Sequence, residues 1–315
     1  MPVTKPVPMS QREFDELFKA VCNWGRWGPD DQRGTLNYIT SDHVRAAAGL
    51  VRSGRQVSLA LPINTIAGPD NPRPAIHHMV KLFDLPVTRG EPQFAGDFLG
   101  TEIHGDCRTH VDALCHVAYH GKLYNGRSTA TVTSKGASTM DITALAAGIV
   151  GRGVLLDLPR LLGVKWLEPG HAVTIEQLEA AEKAQDVRLR DGDIFLFRTG
   201  HSRRRIELGP WNNGYEGHGQ AGLHPTVMRM LHSRQVAAFF PDGDGETIPA
   251  NVEGVAFPIH ALQIAAMGMA CADSLQFEEL LQVCEEEGRW AFLIVAAPLR
   301  IPGGTGSAFN PIAIL

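Results

Sequence analysis

The sequence predicts a mixed α/β domain. Three observations lead there: several apolar runs of strand length, helix-initiating signatures between some of them, and an irregular alternation of the two. A regular strand–helix repeat opening on a Gly-rich turn would instead indicate a nucleotide-binding sheet. Neither a dinucleotide fingerprint nor a P-loop is present.

Taken in chain order, Ser10-Gln-Arg-Glu13 has the form of a capping box, and Phe14, Leu17, Phe18 and Val21 follow at helical spacing. Asn23 to Asp31 is turn-rich and carries two aromatic anchors, Trp24 and Trp27. Those rings either plug the rim of the core or face a substrate. Beyond residue 50 come strand-like runs at 57–61, 154–158, 194–198, 236–240 and 291–296. Thr174-Ile-Glu-Gln177 opens a helix predicted to reach Ala184, and Pro225 stands at a first-turn position of another ending at Ser233. A further helix is predicted over 275–287, with Leu275, Leu280, Leu281 and Cys284 inward and acids outside. No internal repeat interrupts this pattern. One domain spanning 1–315, with a loose N-terminal arm over about 1–50, is the expected organisation.

Composition narrows the function. With 315 residues and 44% hydrophobic content, the chain can bury a sizeable core. A formal net charge of -5 argues against a nucleic-acid partner, which calls for a basic stripe. No run of eighteen apolar residues occurs, and Lys5, Arg12 and Glu13 interrupt any signal-peptide pattern. A cytoplasmic protein with no membrane partner is expected. The five cysteines are odd in number and none has CxxC spacing, so reduced thiols are expected. Cys107 and Cys115 flank the histidines discussed next; a thiolate role there is weighed against that of small buried apolar groups, which is the preferred reading.

The chemistry concentrates in residues 102–116. Read with period two, one set of positions is Glu102, His104, Asp106, Arg108, His110, Asp112, Leu114 and His116, and the other is small and mostly apolar. Imidazoles and carboxylates crowded on one face repel as ions and are costly to bury unpaired. A bound divalent cation removes both penalties, and this donor set suits zinc or manganese. His116 also lies four residues after Asp112, so a helical turn would keep the two adjacent.

Here the residues carry a resemblance. Thr109-His-Val-Asp-Ala-Leu-Cys-His116 resembles the core of the motif HxGTHxDxPxH of the cyclase-like metal hydrolases, a family that includes bacterial kynurenine formamidase, isatin hydrolase and trans-dienelactone hydrolase. Pro258-Ile-His260, Met267-Gly268, Asp273, Leu275, Ala297-Pro-Leu299 and Gly304-Thr-Gly-Ser307 match its C-terminal part, and Trp24 to Asn37 is similar to the entry of a longer branch. The resemblance implies a swivelling β/β/α domain with a mixed sheet and flanking helices, assembled as a homodimer or homotetramer. It implies hydrolysis of an amide or lactone bond in a small cyclic or aryl molecule. Ring closure by dehydration, isomerisation at the same metal, and simple metal-dependent binding are the alternatives.

Carried over by position, His110, Asp112 and His260 are implied as metal ligands, with Asp112 bridging if two ions are held, Asp273 standing where the family usually has Glu, and His116 transferring protons. The family's first ligand falls at Asp106 here, whereas His104 lies two residues earlier. Either Asp106 serves as an oxygen ligand or a bulge brings His104 inward; the His104-Gly105 pair favours His104. Leu114 stands in the usual place of proline. One or two ions of Zn2+ or Mn2+ per chain are therefore expected.

Other candidates carry less. Asp242-Gly-Asp-Gly-Glu246 lacks the frame of a calcium loop and is read as a strand-ending loop close to the site, with Asp242 a candidate substrate contact. His224, just before a helix, either faces the pocket or caps the helix. Arg203-Arg-Arg205 is read as solvated surface, and His77-His78 has no nearby carboxylate in sequence. No GxSxG elbow supports a serine hydrolase.

Overall fold

A computed structural model describes residues 8–84, 90, 92–210 and 219–315. Among the described residues nine strands form one mixed sheet. They are Gln56–Ser58 (β1), His110–Asp112 (β2), Ile149–Asp157 (β3), Ile194–Arg198 (β4), Ala238–Pro241 (β5), Ala270–Asp273 (β6), Ala291–Ala296 (β7), Gly306–Ala308 (β8) and Ile312–Ile314 (β9). Their spatial order is β1-β9-β7-β3-β4-β5-β6-β2-β8. The run from β3 through β4 and β5 to β6 is parallel, and every other pairing in the sheet is antiparallel.

The apolar runs explain the centre. All residues of β4 and β5 are buried, as expected of parallel strands covered on both faces. Side chains then alternate between two core layers: Leu155, Leu196 and Phe240 join one, while Val154, Leu156, Phe195, Phe197 and Phe239 join the other.

The helix Gln11–Ala20 begins with the Ser10–Glu13 capping box, and the helix Ile175–Ala184 with the Thr174–Gln177 box. Phe14, Leu17 and Val21 are buried in the second core layer. Residues 1–7, Lys5 among them, lie outside the described residues. Farther on, Thr35 donates its backbone N–H to Gly268 O and its hydroxyl to Ala237 O. A Cβ on Gly34, whose φ is +54°, would meet that Gly268 oxygen at 1.8 Å, so only glycine fits this crossing.

Two helices differ from expectation at their starts. The first, Val227–Ser233, begins after Thr226, and the second, Glu278–Glu287, begins after Phe277. Leu275 instead closes the turn after β6 by donating its N–H to Pro241 O.

The extended face expected over 102–116 is corrected to three strand residues. Only His110–Asp112 is paired, with Asp273 and Cys271 of β6 on one side and Ala308 and Gly306 of β8 on the other. Outside those short partners the chain turns, through Gly105 at φ +145° before β2 and through a His116 N–H to Ala113 O bond after it. Among the described residues no helix is long and apolar enough to cross a membrane.

Candidate metal centre

The central strands deliver two carboxylates to one place. On β2, His110 and Asp112 share a face because side chains alternate, and Val111 turns into the core. On β6, Asp273 pairs with His110 and Cys271 with Asp112. His260 arrives from a short helical turn, Pro258–His260, that runs into a π-helical stretch, Ala261–Ala266. Such local widening of a helix is frequent at functional sites.

Two groups of candidate ligand atoms result, each lying within 4.8 Å of one another: His104, His110 and Asp112, and Asp112 with His260, Cys271 and Asp273. Asp112 belongs to both. His104 Nδ1 stands 2.9 Å from Asp112 Oδ1, His110 Nε2 stands 3.5 Å from that oxygen and 3.8 Å from Asp273 Oδ2, and His260 Nε2 stands 3.3 Å from Asp273 Oδ2. The ring of His116 stacks on that of His104 at 3.6 Å, with its Nε2 4.0 Å from Asp112 Oδ2.

The partners of the ring nitrogens bear on what these groups could hold. His110 Nδ1 lies 2.9 Å from the carbonyl of Arg108, which can only accept, so Nδ1 carries the proton. His260 Nδ1 lies 2.9 Å from the Glu246 carboxylate and is likewise the donor. Both rings therefore aim Nε2 at carboxylate oxygens, a contact that needs a proton or a cation between the two atoms. Among the described residues, neither oxygen of Asp112 has a partner in hydrogen-bond geometry, His104 Nδ1 approaching Oδ1 to 2.9 Å without that alignment, a costly condition for a buried carboxylate. A divalent cation fits this donor set and satisfies the orphaned atoms together.

Burial alone would push the Asp112 carboxyl up; the surrounding rings of His104, His110 and His116 overcome it and hold the group down to about 2. Asp112 is thus an anion. Burial pushes the His116 imidazole down to about 4 against the opposing pull of Asp112, so its ring is neutral at pH 7 and able to accept a proton.

A cavity of about 580 Å³ opens onto the centre. His104, Asp106, His110, Asp112, His116, Asp244, His260 and Asp273 supply its polar wall, and Val117, Val255 and Phe257 are among its apolar lining. Asp106 reaches this wall but stands outside both ligand groups; its carbonyl accepts from the Ser274 hydroxyl. The geometry therefore brings His104 to the centre in the place that Asp106 holds in the sequence motif.

The four candidate substrate contacts lie elsewhere. Trp24 donates its indole N–H to Ala265 O and packs against Phe18, and Trp27 packs edge-on against Tyr38. His224 bonds Thr226 Oγ1 beside the helix it precedes. Asp242 is fully enclosed and accepts from the N–H groups of Thr199, Gly200 and His201 and from the Thr199 hydroxyl. It anchors the start of the helix His201–Leu208 and borders a neighbouring cavity. Each of these four side chains has a structural partner in the fold. Three groups at or beside the centre were not singled out as site residues in the sequence: Cys271, Asp244 and Glu246. The last two stand in Asp242-Gly-Asp-Gly-Glu246, where three acids in five residues were the available signal.

The family described as "Putative cyclase" matches residues 57–243, more than half of the chain. The chain belongs to this cyclase family. A structure described as a novel cyclase is 32% identical to the cyclase-family protein, covering 95% of this chain and 99% of the other, with a TM-score of 0.81. Isatin hydrolase A from Ralstonia solanacearum, at 22% identity and a TM-score of 0.59, covers 87% of this chain and 97% of its own. A protein from Bacillus stearothermophilus described as a predicted metal-dependent hydrolase shares the fold at 16% identity and a TM-score of 0.51, over 82% and 97%. No curated protein matches the cyclase-family chain.

Proposed function

We propose that this cyclase-family protein is a hydrolase that opens an amide or lactone bond of a small cyclic or aryl substrate with zinc or manganese, one or two ions per chain. Family membership supports an enzyme of hydrolase or cyclase type. The observation that carries the metal reading is the convergence of His110 Nε2 and His260 Nε2 on the carboxylates of Asp112 and Asp273 within ligand-cluster distance. His104, His110 and Asp112 would hold one ion, and Asp112, His260 and Asp273 would hold the other or complete a single site.

Bound there, a divalent ion lowers the pKa of water to about 7 and polarises a carbonyl oxygen. His116 takes up a proton from the attacking water at its neutral ring and delivers one to the departing nitrogen or oxygen. Its stacking on His104 keeps the ring in place for both transfers. Phe257, more than half exposed at the rim, gives a planar substrate an apolar surface. The resemblance also supports assembly as a homodimer or homotetramer.

Turnover of a panel of lactones, imides and formanilides tests the reading. Hydrolysis yields a product heavier by one water. The family description also favours a cyclase, whose dehydration product would be lighter by one water, and a product of unchanged mass would mean an isomerase. Tight substrate binding with no turnover across the panel would leave a binding protein and refute the hydrolase.

A further inference from the structure

Glu246 is completely buried, ends the acid-rich loop Asp242-Gly-Asp-Gly-Glu246, and belongs to neither candidate ligand group. Its carboxylate closes a clamp on one short stretch of backbone and one ring. Oε1 accepts the backbone N–H of His260 at 2.8 Å and the ring Nδ1–H of the same residue at 2.9 Å; Oε2 accepts the N–H of Ile259 at 3.1 Å. Those two N–H groups belong to the first turn of the helix and have no intrahelical acceptor. A buried carboxylate without partners would be very costly, and here each oxygen is occupied by His260 or the residue before it.

The loop is itself held so that Glu246 cannot drift. Its own N–H donates to Asp244 Oδ1 at 2.9 Å, and Gly245 O accepts from Leu223 N at 2.9 Å. Gly222 passes so close that a Cβ there would lie 2.2 Å from the Glu246 carbonyl carbon. The loop, the helical turn and the ring therefore lock as one unit.

We propose that Glu246 is a positioning residue that fixes the tautomer and direction of His260, so that Nε2 presents its lone pair to the cation shared with Asp112 and Asp273. The inference rests on the metal-centre reading above. Ligating histidines that donate their second ring proton to a carboxylate gain basicity and orientation, and loss of such a partner typically costs 10–100-fold in metal affinity. Among the described residues, Asp244, two residues earlier, makes no hydrogen bond to the His260 ring and so does not replace Glu246.

The test is the affinity of the stripped full-length protein for Zn2+ and for Mn2+, by competition with a chromophoric chelator, alongside the melting temperature of the stripped protein. Glu246→Ala should weaken metal binding by up to about 100-fold. Glu246→Gln keeps an oxygen for both His260 contacts but sets an amide N–H against the Ile259 N–H, so a loss nearer tenfold is expected. A purely structural role would lower the melting temperature of the stripped protein while leaving both affinities unchanged, and that result overturns the proposal. If Glu246→Ala does not fold, Glu246→Gln alone decides, and wild-type affinity in it refutes the role. Wild-type protein that binds neither ion refutes the metal centre itself, an outcome distinct from unaltered binding in the variants.

Discussion

Asp112→Asn removes the one carboxylate common to both candidate ligand groups while keeping the shape of the side chain. Asp112 is 2% exposed and both of its oxygens lack hydrogen-bond partners, so its negative charge has the surrounding imidazoles and the expected cation as its only compensation. A ligand that binds the folded state stabilises it by about 2.7 kcal/mol when present at 100 times its Kd. For a chain of this length, 1 kcal/mol corresponds to roughly 2 °C in Tm, so saturating metal should raise Tm by about 5 °C. An amide in place of the charge lowers the affinity of both groups at once. The Tm of the variant should then be the same with Mn2+, with Zn2+ and with chelator, whereas wild type drops on chelation. His260→Ala, which touches one group only, should shrink that drop without abolishing it. Differential scanning fluorimetry reads all three. A full 5 °C metal response in Asp112→Asn would show that the ion is held elsewhere, and the construction of the site around the shared carboxylate would be wrong.

Three further expectations follow from the same geometry. His116→Ala should cut turnover by about 10²–10⁴-fold, the usual worth of a positioned proton-transfer group, with metal content unchanged; loss of metal would make His116 a ligand instead. His201 is buried and its imidazole is pushed down to about 3, first by that burial and then by the charge of Arg205, which donates to its Nε2. A depressed histidine contributes stability that is complete above pH 6.5 and is lost as pH falls toward 3. Unfolding titrations at pH 7 and pH 4.5 should therefore differ by about 2–3 kcal/mol from this group, and His201→Gln should flatten that part of the slope; an unchanged slope would refute it. Gly34→Ala places a methyl group inside the Gly268 carbonyl and should destabilise the fold by more than about 3 kcal/mol, read as a large loss of Tm or of soluble protein; a wild-type Tm would contradict the packing.

Much of this arrangement is legible in the sequence, for reasons that differ by element. Ser10 and Thr174 announce their helices because a capping box is a local hydrogen-bond pattern. The strands 194–198 and 236–240 are legible because burial on both faces demands unbroken apolar residues. Strand Ala270–Asp273 is not, since Ala-Cys-Ala-Asp lacks β-branched and aromatic residues and is held by its neighbours on both sides. The ribbon formed by Ile76–Lys81 and Gly96–Gly100 is also missed, because its side chains are largely exposed and no in/out alternation marks it.

At the site, the density of His and Asp from 104 to 116 marks a cluster that could hold a metal, but period two does not describe its backbone. Asp112 and His116 meet through a turn, and His104 comes back over β2 from a loop rather than along a strand. Glu246 could not be ranked above its neighbours by residue type. Its importance lies in pointing at His260 from fourteen residues away, and that is a property of the fold.

The most direct test of the account is the metal content of protein purified without chelator, measured by elemental analysis together with turnover of the best substrate before and after stripping. At least about one zinc or manganese per chain is expected, with loss of turnover on stripping and its return when the ion is restored. Full turnover at a metal content well below one per chain would contradict it.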